Sequence, residues 1–275
     1  MDEDIKIRFR DKKLKDKWAG VNDKVPVNPQ YVFEGADREE SFLMSQFPTK
    51  ELKARFKKYR EEWYRRGKEL DHGDIPLSVT VELVSTCNLA CTMCYTITEK
   101  FQNSVIGAQR MMPWPNVKAI IDECAELGVP SMLFSWRGES TLYRFKEKDG
   151  NIIRFPDVLA YARKAGILEI TSLTHGQLLT GKLAEDVVKA QPNWLNFSID
   201  GTEKAYNQIR TPPNKRGTEY DAFKKVTDNI KNIVRLRNEL GQSRPQIRSN
   251  SIFPAIADDP EDYRNKLVEA GVDLI

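Results

Sequence analysis

Three of the chain's four cysteines fall within eight residues, in the segment Cys87-Asn88-Leu89-Ala90-Cys91-Thr92-Met93-Cys94. A disulfide framework would distribute paired cysteines along a small secreted chain, so this grouping points to metal or redox chemistry. A 4Fe–4S cube has four irons, and three thiolates from one compact loop hold three of them. The fourth iron then stays open to a ligand that is not protein. That permits inner-sphere chemistry denied to a fully cysteine-ligated electron carrier. Three other readings compete. A closed zinc site wants four ligands, often from two separated pairs, and only Cys124, His72 and His175 remain to complete one. Inert buried thiols would make the grouping a coincidence, and a redox dithiol needs only one pair. Cys124 falls with Val117, Ile120, Ile121 and Leu127 on one helical face and reads as a core thiol.

The elements that must position this loop follow from patterning. With 275 residues, 40% hydrophobic and 30% charged, the chain is long enough for one large domain and an appendage. No stretch approaches the ~20 apolar residues of a membrane helix. The N-terminus, MDEDIKIRFRDKK, lacks the apolar core of a secretory signal, so a cytoplasmic location is expected. The net charge of +3 has its positive excess in the first quarter of the chain, where charges of both signs are interspersed as on a solvated surface.

Residues 1–75 read as an N-terminal accessory region and 76–275 as the main domain. In the first, a helix starts near Thr49, with Leu52, Phe56, Tyr59 and Trp63 at helical spacing and Lys and Arg on the other face. The apolar stripe is expected to pack on the main domain. The first 45 residues show little periodicity and read as extended or partly ordered. From Leu77 onward, β-rich runs at 78–84, 132–136, 168–173, 195–199, 246–252 and 272–275 alternate with helical runs. The helical runs are 115–127, 156–164, 182–190, 220–240 and 261–270. This is the pattern of parallel β/α units, either an open doubly wound sheet or a partial barrel. In the strands, Val79, Val81 and Leu83 oppose Thr80 and Glu82, while Leu195, Phe197 and Ile199 oppose Asn196, Ser198 and Asp200. Arg248 and Asn250 share one side of the fifth run. An open sheet covered on both faces wants near-continuous apolar strands. Polar residues on one face therefore favour a partial (β/α)6 TIM-like barrel around a polar ligand, with a partly helical N-terminal extension.

The CxxxCxxC spacing, followed by the aromatic Tyr95 and placed after the first strand, resembles the radical S-adenosylmethionine (radical SAM) superfamily over about Pro76 to Ile275. The resemblance implies one 4Fe–4S cluster held by Cys87, Cys91 and Cys94, whose open iron binds S-adenosyl-L-methionine. Reductive cleavage then gives a 5′-deoxyadenosyl radical that abstracts hydrogen. Further motifs support this strand by strand. Ser135-Trp136-Arg137-Gly138-Glu139-Ser140 is similar to the family's Gly-Gly-Glu-Pro at Gly138 and Glu139 and departs from it at Arg137 and Ser140. Through it the resemblance implies contacts to the cofactor's ammonium. Ser198-Ile199-Asp200-Gly201, with Tyr206 and Ile209-Arg210, looks like the S-x-D-G…Y…I-R pattern of the SPASM/twitch-type branch that modifies peptides and sugars. Ser198 and Asp200 suit ribose hydroxyls, and Arg210 suits the cofactor carboxylate.

His175, where many relatives read asparagine, is a proton donor or a hydrogen-bond post. Tyr95 is expected to meet the adenine through its backbone, and Asn250 the methionine moiety. The Met111-Met112 pair is expected to pack in its loop, near the cluster or not. Expected partners are an electron donor such as flavodoxin or ferredoxin, and a peptide, sugar or small-molecule substrate, with neither membrane nor nucleic acid. That branch usually carries further cysteines after the barrel, so the sequence reads either as truncated after the sixth strand or as a member that works with one cluster. A non-catalytic iron–sulfur or S-adenosylmethionine-binding regulatory protein on the same fold is the alternative reading.

Overall fold

The structure, a computed structural model, describes residues 44–104, 110–256 and 259–275. The expectation for the first 45 residues lies outside these but for its last two positions.

Five parallel strands form the sheet: β1 (Ser78–Thr80), β2 (Ser131–Leu133), β5 (Glu169–Thr174), β6 (Trp194–Ser198) and β7 (Gln246–Asn250). Their spatial order, β1-β2-β5-β6-β7, repeats their chain order. Each new strand is added on the same side of the last, without the reversal that defines a doubly wound sheet. This is the singly wound course of a partial barrel. Its helices are α2 (Trp114–Leu127), α3 (Phe155–Ala165), α4 (Gly181–Ala190), α5 (Glu203–Arg210), α6 (Ala222–Glu239) and α7 (Pro260–Ala270). The outward strand residues Met132, Ile170, Leu195, Phe197 and Ile247 are wholly buried among helix residues such as Val117, Leu159, Val187 and Ile230.

Local outcomes differ from the sequence expectation, the unexpected helix α5 among them. The sixth strand is reduced to a bridge between Arg248 and Leu274, with Ser249 N donating to Leu274 O at 2.9 Å. The first run pairs with β2 only as far as Val81, whose N–H reaches Leu133 O (2.8 Å). Beyond it the chain changes partner: Met112 N bonds Leu83 O and Ser85 N bonds Arg110 O, both at 2.9 Å. The Met111-Met112 loop therefore lies against the end of the first strand, and both methionines pack on the core. An antiparallel hairpin, β3 (Arg144–Lys146) and β4 (Ile152–Arg154), was not anticipated. Its turn carries Asp149-Gly150, with Gly150 at φ 91°, a conformation that glycine adopts without steric cost.

Helix α1 (Lys50–Glu69) starts where Thr49 accepts from Leu52 N (3.2 Å), as an N-cap should. Its apolar stripe packs on the main domain: Phe56 and Tyr59 join Phe47, Leu168 and Trp194 in a second core, with Leu52 and Trp63 against it. Burial of each large side chain contributes about 1.5–3 kcal/mol. Leu168 precedes β5 and Trp194 begins β6, so α1 closes the N-terminal end of the barrel. The floor is polar. Glu169 accepts from Ser131 Oγ (2.9 Å), Trp194 Nε1 (3.0 Å) and Tyr59 Oη (3.1 Å), and Arg248 lies over the Trp194 ring. Among the described residues, no helix is long and apolar enough to cross a membrane. The cysteine loop sits at the opposite end.

Candidate active site

The cysteine loop leaves the end of β1 and folds tightly on itself. Leu89 N donates to Cys87 Sγ (3.4 Å), Cys94 N to Cys91 O (2.9 Å), and Cys94 Sγ meets Thr96 Oγ1 at 2.9 Å. The three thiols are near enough that a charge on one raises the cost of charge on another. Burial pushes the Cys91 thiol up, and the Arg210 guanidinium opposes that shift. A metal centre binding here would therefore displace protons from thiols.

Of the residues that could complete a zinc site, Cys124 and His72 lie away from this loop. Cys124 is buried in the core on α2, and His72 Nδ1 meets Gly73 O (2.7 Å) in the turn after α1. Among the described residues, no three His, Cys, Asp or Glu side chains converge as ligands of one ion. A cube instead takes its thiolates at separate corners, so three loop cysteines suit it as a donor set.

Other strand-end loops converge on the cysteine loop, as ligand groups do at the C-terminal face of a barrel. After β2, Gly138 packs so closely that an added Cβ would lie 2.3 Å from Val84 O and 2.5 Å from Thr86 O. Glu139 N donates to Thr86 O (2.9 Å), one residue before Cys87. The Glu139 carboxylate, 2% exposed, is largely engaged within the protein. Its Oε1 accepts from Thr141 Oγ1 (2.6 Å), Thr141 N (3.2 Å) and Thr174 Oγ1 (2.7 Å), and its Oε2 accepts from His175 N (2.9 Å).

After β5, His175 Nδ1 accepts from Gln177 N (3.1 Å), which leaves Nε2 to carry the proton and donate to Asn88 Oδ1 (2.8 Å). Nε2 also lies 3.4 Å from Glu139 Oε2. Burial holds the imidazole below its ordinary range despite that carboxylate. The ring is thus a neutral post between β5 and the residue after Cys87. Gly176, at φ 74°, lies so close to Phe197 that an added Cβ would sit 2.3 Å from the ring.

After β6, Asp200 is 1% exposed and accepts from Arg210 Nε (2.5 Å) and Ile252 N (2.9 Å). Arg210 Nη1 approaches Cys91 Sγ at 3.9 Å. Both partners expected to face the cofactor are thus paired with each other. Ser198 is half-buried at the end of β6, level with Asn250, which is exposed. Tyr95 is 55% exposed, with its ring edge-on to Phe101. The structure gathers Gly138, Glu139, His175, Asp200 and Arg210 against the cysteine loop.

Sequence reasoning missed Asn88, the partner of His175. It also missed Arg216, whose Nη2 donates to Ala90 O (2.6 Å). Asn88 lies inside the cysteine spacing and was legible as part of the loop. Nothing local marks Arg216.

The sequence signature of the Radical SAM superfamily matches residues 81–240. The chain is similar to Fe-coproporphyrin III synthase of Methanosarcina barkeri, 30% identical over 48% of this chain and 29% of that protein. It is also similar to the serine-type anaerobic sulfatase-maturating enzyme of Bacteroides thetaiotaomicron, 33% identical over 56% of this chain and 36% of that protein. The chain thus spans about a third of each relative's length. Streptococcus suis SuiB bound to S-adenosylmethionine shares the fold, with a TM-score of 0.50 and 16% identity over 89% of this chain and 56% of that one. The family implies S-adenosylmethionine and an iron–sulfur cluster. The chain belongs to the radical SAM superfamily of enzymes.

Proposed function

We propose that Cys87, Cys91 and Cys94 hold three irons of a single 4Fe–4S cluster and that the fourth iron takes S-adenosyl-L-methionine. Once bound and reduced, the pair supplies reductive cleavage of the sulfonium to methionine and a 5′-deoxyadenosyl radical, which abstracts hydrogen from a peptide, sugar or small-metabolite substrate. A one-electron donor such as flavodoxin or ferredoxin delivers the reducing equivalent.

The protein's share is position, charge and exclusion of water. Arg210, held by Asp200, sets a positive charge beside the Cys91 sulfur. The same guanidinium suits the cofactor's carboxylate. Glu139 Oε2 accepts one full hydrogen bond and keeps capacity for an ammonium. Ser198 suits a ribose hydroxyl, the Tyr95 backbone the adenine, and Asn250 the methionine moiety. His175 acts here as a post, because Nδ1 accepts a backbone N–H and the Nε2 proton is given to Asn88. The observation that carries this reading is the cysteine loop at the C-terminal end of β1, moored by side chains from the following strand ends.

The test is anaerobic reconstitution with iron and sulfide, reduction, and chromatographic detection of 5′-deoxyadenosine. The wild type should produce it from S-adenosyl-L-methionine and Cys94→Ala should not. Equal background in both would reject the reading.

A further inference from the structure

At the mouth of the barrel, Arg137 has no part in the function proposed above, yet it is held at several points. Its Nε donates to Glu82 Oε2 at 2.6 Å and its Nη2 reaches the same oxygen. The two side chains are only 21% and 15% exposed. On its other side, the Arg137 Cζ lies 5.8 Å from the centroid of the Phe101 ring, which is itself buried. Phe101 in turn meets the Tyr95 ring edge-on at 5.4 Å, and the Tyr95 phenol is close enough to interact with the guanidinium. Arg137 therefore touches both the last residues of the β1 run and the segment that follows Cys94.

That segment folds through local bonds: Thr98 Oγ1 to Tyr95 O (2.7 Å), Phe101 N to Thr98 Oγ1 (3.3 Å) and Gln102 Nε2 to Thr96 O (2.5 Å). Bonds of this range shape a turn without fixing where it sits on the barrel. A guanidinium is suited to fix it, because its edge pairs with a carboxylate while its face stacks on an aromatic ring.

We propose that Arg137 is a positioning residue. By pairing with Glu82 and lying over Phe101, it latches the segment after the third cysteine onto the end of the first strand, and so sets how S-adenosyl-L-methionine seats against Tyr95. The seating clause rests on the function proposed above; the latch itself does not.

Two measurements separate them. Amide hydrogen exchange on the metal-free protein reads the latch alone. Arg137→Ala and Glu82→Gln should each speed exchange at residues 95–103 about tenfold, because local opening there loses its tertiary restraint. Amides of β5 and β6 should keep wild-type rates. Arg137→Lys restores the ion pair without the planar stack, so its exchange should fall in between. In the reconstituted enzyme, Arg137→Ala should keep its cluster but raise the KM for S-adenosyl-L-methionine by about 10- to 100-fold, the usual loss for a group supporting a metal site. Its kcat should change less, and the shift that the cofactor causes in the reduced cluster's electron paramagnetic resonance should shrink.

Unchanged exchange at residues 95–103 in both Glu82→Gln and an Arg137 variant overturns the latch, whatever the enzyme does. Faster exchange with an unchanged KM and spectrum overturns the seating role. If the wild type cleaves no cofactor, the proposed function fails and exchange still judges the latch. Should Arg137→Ala not fold, Arg137→Lys and Glu82→Gln carry both comparisons.

Discussion

Replacing Gly138 by alanine tests whether the second strand end sets the cysteine loop. The new Cβ would stand 2.3 Å from Val84 O, 2.5 Å from Thr86 O and 2.8 Å from Ser85 C, whereas ordinary contact begins near 3.4 Å. All three neighbours are backbone atoms, so no side chain can swing away. The chain from Val84 to Thr86 must retreat by about 1 Å, or the Gly138 loop must lift by as much, at the ~1–3 kcal/mol typical of overpacking. For a chain of this size that lowers Tm by roughly 2–10 °C. Lifting also strains the Glu139 N to Thr86 O bond of 2.9 Å, directly before Cys87. A misplacement of about 1 Å near reacting groups costs up to ~100-fold in rate. Thermal melts of the metal-free protein and 5′-deoxyadenosine formation by the reconstituted enzyme measure the two effects. The reasoning is refuted if Gly138→Ala melts with the wild type and cleaves the cofactor at an unchanged rate.

Further substitutions probe other parts of the arrangement. Cys87→Ala, Cys91→Ala and Cys94→Ala should each abolish retention of the cluster. Cys124→Ala should keep it and lose only about 1 kcal/mol of core packing; iron per chain and denaturant melts decide. His175 is held neutral by burial, below its unfolded value of about 6.5. The unfolded chain therefore binds a proton that the folded chain refuses. The resulting stability is fully present above pH ~6.5 and drains as pH falls toward the folded value, by at most ~1.4 kcal/mol per pH unit. His175→Gln should flatten the pH dependence of unfolding free energy below about pH 6.5 by that one proton. Identical slopes would show that His175 does not titrate as buried.

The alternation of β-rich and helical runs gave the singly wound order, because parallel strands buried on one face and facing a lumen on the other must alternate in polarity. Thr49 as N-cap and the stripe from Leu52 to Trp63 were legible for the same reason: capping and helical period are local. The hairpin around Asp149-Gly150 had a turn signal but only three-residue strands, too short for a period to register. Helix α5 was hidden behind the S-x-D-G turn that precedes it. At the site, residue types were readable but pairings were not. Glu139 and Asp200 stand where motif reading put them, yet Thr141, Thr174, His175 and Arg210 occupy much of their hydrogen-bonding capacity. Those partners are from 2 to 36 residues away in sequence, and no single-strand pattern encodes them.

The division between the barrel's two ends explains why the site tolerates so many polar groups. At the N-terminal end, Glu169 accepts from β2, β6 and α1, so its carboxylate ties those elements together and serves stability. At the C-terminal end the side chains lean on the cysteine loop. His175 holds Asn88, Arg216 holds Ala90, Arg210 faces Cys91, and Glu139 N binds the residue before Cys87. The tethers come from the segments after β2, β5 and β6, and each is worth only about 0.5–3 kcal/mol. Their geometric effect is larger than their energy. A loop restrained at one point still rotates, whereas one restrained at several independent points keeps its three sulfurs in register with the strands. Precision of this kind is what the open iron site proposed above would need, since three cysteines would leave its fourth position to the reacting molecule.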